Sequence, residues 1–103
     1  DELLFRADQH MLIITSIENQ FKRLYKIKVG VINGKKTDDF VKELKLPAFV
    51  CEKMINLSNK FSLRQLKELI RLCMKTEEKL KSSSTDKKME LEMLLVETLM
   101  IKK

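Results

Sequence analysis

The chain is poor in everything that turns a backbone sharply. It has two glycines and one proline in 103 residues, and no tryptophan. A β-sandwich or barrel needs a turn every few residues, so this scarcity argues against one. There is no apolar run of 18 residues, so neither a membrane span nor a signal peptide is expected in these residues. No nucleotide-binding glycine loop occurs, and Gly30 and Gly34 stand alone in a basic segment. Histidine is present once, at His10 near a helix start, so a Ser/His/Asp triad is not expected. His10 is expected at the surface.

Cysteine is nearly absent too. Cys51 and Cys73 are single, with no C-x-x-C, so neither a zinc site nor another metal site is expected. Each falls on an apolar helical face, and both read as buried free thiols of a reducing compartment. No cofactor is implied, and catalysis is not expected of these residues. No block of five like charges occurs, although the net charge is +6. A basic surface suits phosphate or an acidic partner, and serves solubility equally well.

What is there is helix-forming. Apolar residues make up 44% and charged residues 35%, with Leu, Lys, Glu and Met prominent. The length suits one domain with a modest core. The expectation is an all-α fold, a single helical bundle of about five helices. Residues 11–101 would form the bundle. Residues 1–10 would be the end of a preceding segment or a short helix, with Leu3, Leu4 and Phe5 in it and a break near Asp8. The chain begins at Asp1 and is expected to be a fragment of a longer one.

The first long helix is predicted from about Met11 to Ile32, with Ile13, Ile17, Phe21, Leu24 and Ile27 or Lys28 as its apolar stripe. Asn33-Gly34 ends it, with Gly34 in a left-handed position. Thr37 is expected to cap a short helix carrying Asp38 and Asp39 in its first turn. Pro47 then opens another, in its first turn, whose Phe49, Val50, Met54, Ile55 and Leu57 read as mostly buried.

Ser62-Leu63-Arg64-Gln65 has the form of a capping box, with Phe61 before it as a hydrophobic staple. The helix it opens places Leu63, Leu66, Leu69, Ile70, Cys73, Met74 and Leu80 on one side. Arg64, Lys67, Glu68, Arg71, Lys75, Glu78 and Lys79 fall on the other. Gln65 is expected to matter less than Ser62, since only the reciprocal bond depends on it. Glu77 points into the apolar side, where burial would raise its pKa unless a lysine or arginine pairs with it. Ser82 to Ser84 is read as a loop, and Ser84 or Thr85 as the cap of a last helix from Asp86 to about Ile101.

That last helix is apolar nearly all round. Met89, Met93, Val96 and Met100 form one stripe, Leu91, Leu95 and Leu99 a second, and Leu94 with Ile101 a third. Such a helix is buried on several sides. One of the first two stripes is expected to close the domain's own core and the other to meet another chain. Candidate subunit-interface residues are therefore Leu91, Leu95, Leu99, Met89, Met93 and Val96. Candidate weak phosphate contacts are Lys22, Arg23, Arg64 and Arg71, on different helices, able to meet a backbone without reading bases.

The order of these signals resembles a known family. A short helix ends in Leu44-Lys45-Leu46, then Pro47, Phe49 and Val50 follow, then a helix with Lys53. Phe61-Ser62 opens a long helix with Glu77 that ends in Leu80-Lys81-Ser82. A last helix carries Leu91, Leu94, Leu95 and Leu99, and Gln20-Phe21-Lys22-x-Leu24 lies upstream. Together they resemble the C-terminal domain of the delta subunit of bacterial DNA polymerase III. The family often has glycine where this chain has Lys45, and again where it has Ser83. The resemblance implies the collar domain of a clamp loader, the machine that opens a sliding clamp and loads it on primed DNA in replication. It implies other clamp-loader subunits as partners through the collar, and DNA contact that is weak or indirect. Contact with the sliding clamp would come only through an N-terminal part beyond this chain. The setting would be the cytoplasm, and the parent subunit would belong to a DNA-directed DNA polymerase holoenzyme without this fragment being an enzyme.

Two other readings remain open. Residues 37–60 imitate a helix-turn-helix for nucleic acid, although the second helix begins with Ala48, Phe49 and Val50 rather than with polar side chains. A free-standing helical adaptor for an acidic protein is the third.

Overall fold

The computed structural model describes residues 7–81 and 86–102. These form five helices: α1 (Ala7–Ile32), α2 (Thr37–Leu44), α3 (Ala48–Ser58), α4 (Leu63–Leu80) and α5 (Lys87–Lys102). Among the described residues there is no strand. The all-α reading is borne out.

The axis of the molecule is α1. Its 26 residues span about 39 Å at 1.5 Å per residue, most of the 46 Å long dimension. α4 packs along it and also against α5, while α2 and α3 pack at its C-terminal end. Three core clusters follow one another down α1. Ile14 meets Leu72, Cys73, Leu80 and Leu94. Leu24 meets Phe61, Leu66 and Leu69. Ile27 meets Phe40 and Cys51. Rising numbers on α1 meet falling numbers on α4, so the two run antiparallel.

The helix starts differ from expectation in informative ways. α1 runs unbroken through Asp8 and His10, and Leu3 to Phe5 lie outside the described residues. The extra turn carries His10 onto the core stripe, where it is 6% exposed rather than at the surface. The stripe itself steps by three and four through Ile14, which is fully buried, while Ile13 turns partly out. A seam between two antiparallel helices follows such alternating steps. α2 is preceded by Lys36 rather than capped by Thr37, and the Asp39 carboxylate accepts the Lys36 backbone N–H at 2.8 Å. Pro47 sits just before α3, not within its first turn.

Among the described residues two backbone positions carry positive φ. Gly34 takes φ 90 after α1, as expected of its left-handed place. Lys45 takes φ 56 after α2, a conformation that glycine adopts more readily. This is the position where the resembled family often has glycine. Gly30 has a different reason to lack a side chain: an added Cβ would lie 2.8 Å from the Phe40 ring.

The capping box of α4 is present in full. Ser62 Oγ accepts from Gln65 N–H at 3.0 Å, and Gln65 Oε1 accepts from Ser62 N–H at 2.8 Å. Gln65 does more than expected, because its Nε2 donates to the Ile101 carbonyl at 3.2 Å. That bond ties the start of α4 to the last turn of α5, where carbonyls lack helical partners. The predicted polar face of α4 faces outward. Leu72, absent from the predicted apolar side, is buried, and Met74 is exposed. The reason is that α4 is flanked by both α1 and α5, which widens and rotates its buried sector.

α5 is capped by Asp86, whose Oδ1 accepts from Met89 N–H at 3.1 Å. Ser84 and Thr85, the expected caps, lie outside the described residues, as does the Ser82–Ser84 loop. The Lys79–Glu90 ion pair at 3.6 Å and the Gln65–Ile101 bond set α5 antiparallel to α4.

Candidate assembly surface

Burial on α5 is one-sided. Leu94 is 2% exposed and sits in the first core cluster, with Leu91 and Ile101 packed beside it. Met89, Met93, Leu95, Val96, Leu99 and Met100 are all exposed, Met100 to 71%. The third stripe, Leu94 with Ile101, therefore closes the core, joined by Leu91. Neither of the two stripes expected to do so does it. The geometry explains why they go together. At 100° per residue, Leu95 and Leu99 lie next to the Met89–Met93–Val96–Met100 line on the side away from Leu94. They are two apolar strips of the outward side, with the exposed Glu92 between them.

Burial of six such side chains would be worth about 1.5–3 kcal/mol each. Isolated exposed apolar residues are ordinary on a protein surface, whereas here they recur over about three turns of one helix. Beside it runs an open groove of about 220 Å³ between α4 and α5, lined by Glu68, Arg71, Leu72, Glu97, Met100 and Ile101.

The candidate phosphate contacts divide into two kinds. Lys22 is held by Glu18 at 2.6 Å, and Arg71 by Glu68. Arg23 and Arg64 are exposed. Lys22 and Arg23 are on α1, Arg64 and Arg71 on α4. Residues 37–60 do form two packed helices joined by a short turn. The second, α3, is less buried than expected: Cys51 and Ser58 are its buried residues, while Phe49 is 62% exposed and Leu57 also faces out. Lys53 lies over the Phe49 ring, 5.9 Å from its centre. The N-terminal end of α3 thus presents an aromatic ring and an alanine, not the donors and acceptors that read base edges.

One polar cluster lies inside. Glu18 of α1 is 6% exposed, and its Oε1 is buried without a hydrogen-bond partner. Glu77 of α4 stands next to it and accepts from Thr15 Oγ1 at 3.3 Å. A bond to Glu18, helped by burial and by the Glu18 charge, raises the Glu77 pKa. Burial works against the Glu18 charge, but the bonds to Glu77 and Lys22 hold that carboxyl below its ordinary value. In its protonated form Glu77 would offer Glu18 the donor that Oε1 lacks. The partner of Glu77 is thus a second carboxylate and not the expected lysine or arginine. The sequence reading missed Glu18; the signal that could have found it is its place between Ile14 and Phe21 on the core stripe, four residues before Lys22.

Both cysteines are free and buried, as expected. Burial, with the charges of Glu18 and Glu77, pushes the Cys73 thiol up to about 12, so it stays protonated and unreactive. Among the described residues no group of three or more His, Cys, Asp or Glu side chains could hold a metal ion. No described helix is long and apolar enough to cross a membrane.

Fold and surface together define a helical bundle domain whose last helix keeps a broad apolar sector outside its own core. The family model described as DNA polymerase III delta subunit, C-terminal domain, matches residues 1–98. The chain belongs to that family, and with it to the replication proteins of DNA polymerase III. Neither the curated proteins nor the solved structures gave a match.

Proposed function

We propose that this chain is a collar domain: a non-catalytic, helical assembly module of a clamp loader, joined to the other subunits through the outward face of α5. The observation that carries the reading is the outward sector itself. Six large apolar side chains are exposed on a helix whose inner face already fills the core. Membership of the delta subunit family supports it. In this role residues 11–101 are the module, and Met89, Met93, Leu95, Val96 and Leu99 are its contact residues, with Leu91 at the edge. The work is mechanical. The module holds its neighbours in register while nucleotide chemistry and contact with the sliding clamp happen elsewhere in the assembly. The setting is the cytoplasm. DNA contact through Arg23, Arg64 and the paired Lys22 and Arg71 is weak, salt-sensitive and indifferent to sequence.

The experiment joins a melt to an assembly assay. Met93→Asp with Leu99→Asp alters only exposed side chains, so thermal stability should stay within about 0.5 kcal/mol of the parent. Co-purification with the other clamp-loader subunits should be lost, because an apolar anchor has been replaced by a charge. A variant that assembles as well as the parent, or one that unfolds, would show that this face is not the interface.

A further inference from the structure

The outward face of α5 also carries information about what it will accept. Met89, Met93, Val96 and Met100 are spaced by four, three and four, the alternation of a coiled-coil seam. Taking Met93 and Met100 as one seam position and Met89 and Val96 as the other fixes the flanks. Glu90 and Glu97 flank one side, Glu92 and Leu99 the other. Glu92 and Glu97 are exposed, and Glu90 is partly covered by its pair with Lys79. Arg71 lies near enough to feel the Glu97 charge but is bonded to Glu68, so this edge keeps a net negative charge. Lys88, exposed one turn before Glu92, lies off the seam.

These flanks reject a second copy of the same helix. In a parallel pair, the flank before one seam residue meets the flank five residues later on the partner helix, so Glu92 would face Glu97 of the other copy. In an antiparallel pair with matched seam ends, like flanks meet, and Glu97 would lie against Glu90 of the other copy. Both arrangements press carboxylates together at the margin of an apolar contact, where water is being removed and repulsion is strongest. A helix with Lys or Arg at its flanks meets the opposite situation in either direction.

Resting on the interface reading above, we propose that the Met89–Met93–Val96–Met100 seam takes an amphipathic helix of a different chain, apolar along its seam and basic at its flanking positions. The acidic margin is the selective element, excluding self-association of a domain that exposes a long apolar stripe. It is local, and opposite in sign to the chain's net charge of +6. A preference for a basic helix therefore cannot arise from general attraction.

The test uses two synthetic three-heptad peptides with leucine at both seam positions, one with lysine and the other with glutamate at all flanking positions. Binding to the 103-residue chain is followed by calorimetry. The lysine-flanked peptide should bind at least about tenfold more tightly. Glu92→Lys with Glu97→Lys should reverse that preference, and sedimentation of the parent chain should show a monomer. Equal affinity for the two peptides, binding of neither, or a parent dimer dispersed by Met93→Asp would each overturn the inference. The interface reading is separable. If neither peptide binds while Met93→Asp still abolishes assembly with the other subunits, the charge rule falls and the interface stands. If Met93→Asp assembles normally, both fall.

Discussion

α4 and α5 are neighbours of similar length, packed against each other, and they dispose of their apolar residues in opposite ways. α4 buries Leu66, Leu69, Leu72, Cys73 and Leu80, and turns its lysines, its arginines and Glu78 to water. Its surface is finished within the domain. α5 buries Leu94 and half-buries Leu91 and Ile101, yet its outer side is as apolar as its inner one. A helix with charges opposite its core can be soluble alone. A helix with leucine and methionine opposite its core leaves apolar surface in water. The contrast separates residues kept for folding from those available for contact.

The largest expected effect tests the two kinds of leucine directly. Leu66→Ala empties a fully buried site and should cost about 2–5 kcal/mol, read from the urea midpoint. Leu99→Ala changes a side chain 64% exposed, so its stability cost should be below about 0.5 kcal/mol while assembly weakens. Equal costs at the two sites would erase the distinction between the helices.

The link between the two helices comes next. Gln65 closes the α4 capping box and also donates to Ile101 of α5. Ser62→Ala should cost about 1 kcal/mol, as N-cap losses generally do. Gln65→Ala should cost at least as much, about 1–2 kcal/mol, because two hydrogen bonds are lost. Hydrogen exchange should also show the last turn of α5 opening more often in Gln65→Ala and not in Ser62→Ala. Similar exchange in both variants would mean that α5 is held by its apolar contacts alone.

A third prediction concerns the α1–α4 seam and its pH dependence. The Glu77 pKa is raised on folding, so its contribution is present below the ordinary glutamate value and is lost as pH rises through the raised one. The Glu18 pKa is lowered, so its contribution runs the other way, present above the ordinary value and lost as pH falls through the lowered one. Stability should therefore peak between the two and decline as pH rises through the raised one and Glu77 ionises beside Glu18. Glu77→Gln keeps a donor for Glu18 Oε1 without the second charge. It should raise stability by about 1 kcal/mol at pH values where Glu77 is ionised, and flatten that decline. An unchanged pH profile would mean that the two carboxyls do not share a proton.

The smallest effect serves as a control outside both helices. Lys45→Gly relieves a left-handed non-glycine residue, which costs about 1 kcal/mol, and adds some freedom to the unfolded chain. The net gain should be about 0.5 kcal/mol, with assembly untouched. A loss of stability would mean that the Lys45 side chain makes a contact worth more than the strain.

The α4 start was legible because a capping box is local: Ser62 and Gln65 bond each other's backbone whatever surrounds them. Gly34 was legible for the same reason. Free cysteines and an all-α fold followed from composition. The reach of Gln65 to Ile101 was not legible, since it joins residues 36 apart in sequence. Nor was the burial of His10, which depends on a turn of α1 reaching back beyond Met11.

The sequence by itself determined five helices and their main breaks, because helical period, caps and turn residues act within a few positions of one another. It also determined that the last helix carries more apolar surface than one small core can hold. Only the tertiary structure decided which part of that surface is spent inside. Leu94, Leu91 and Ile101 are no more hydrophobic than Leu95 or Leu99, and the residue types cannot rank them. The choice is made by the line along which α5 lies against α4 and α1, fixed by the Asp86 cap, the Lys79–Glu90 pair and the Gln65–Ile101 bond. A rotation of α5 by half a turn would exchange core and surface without changing a letter of the sequence.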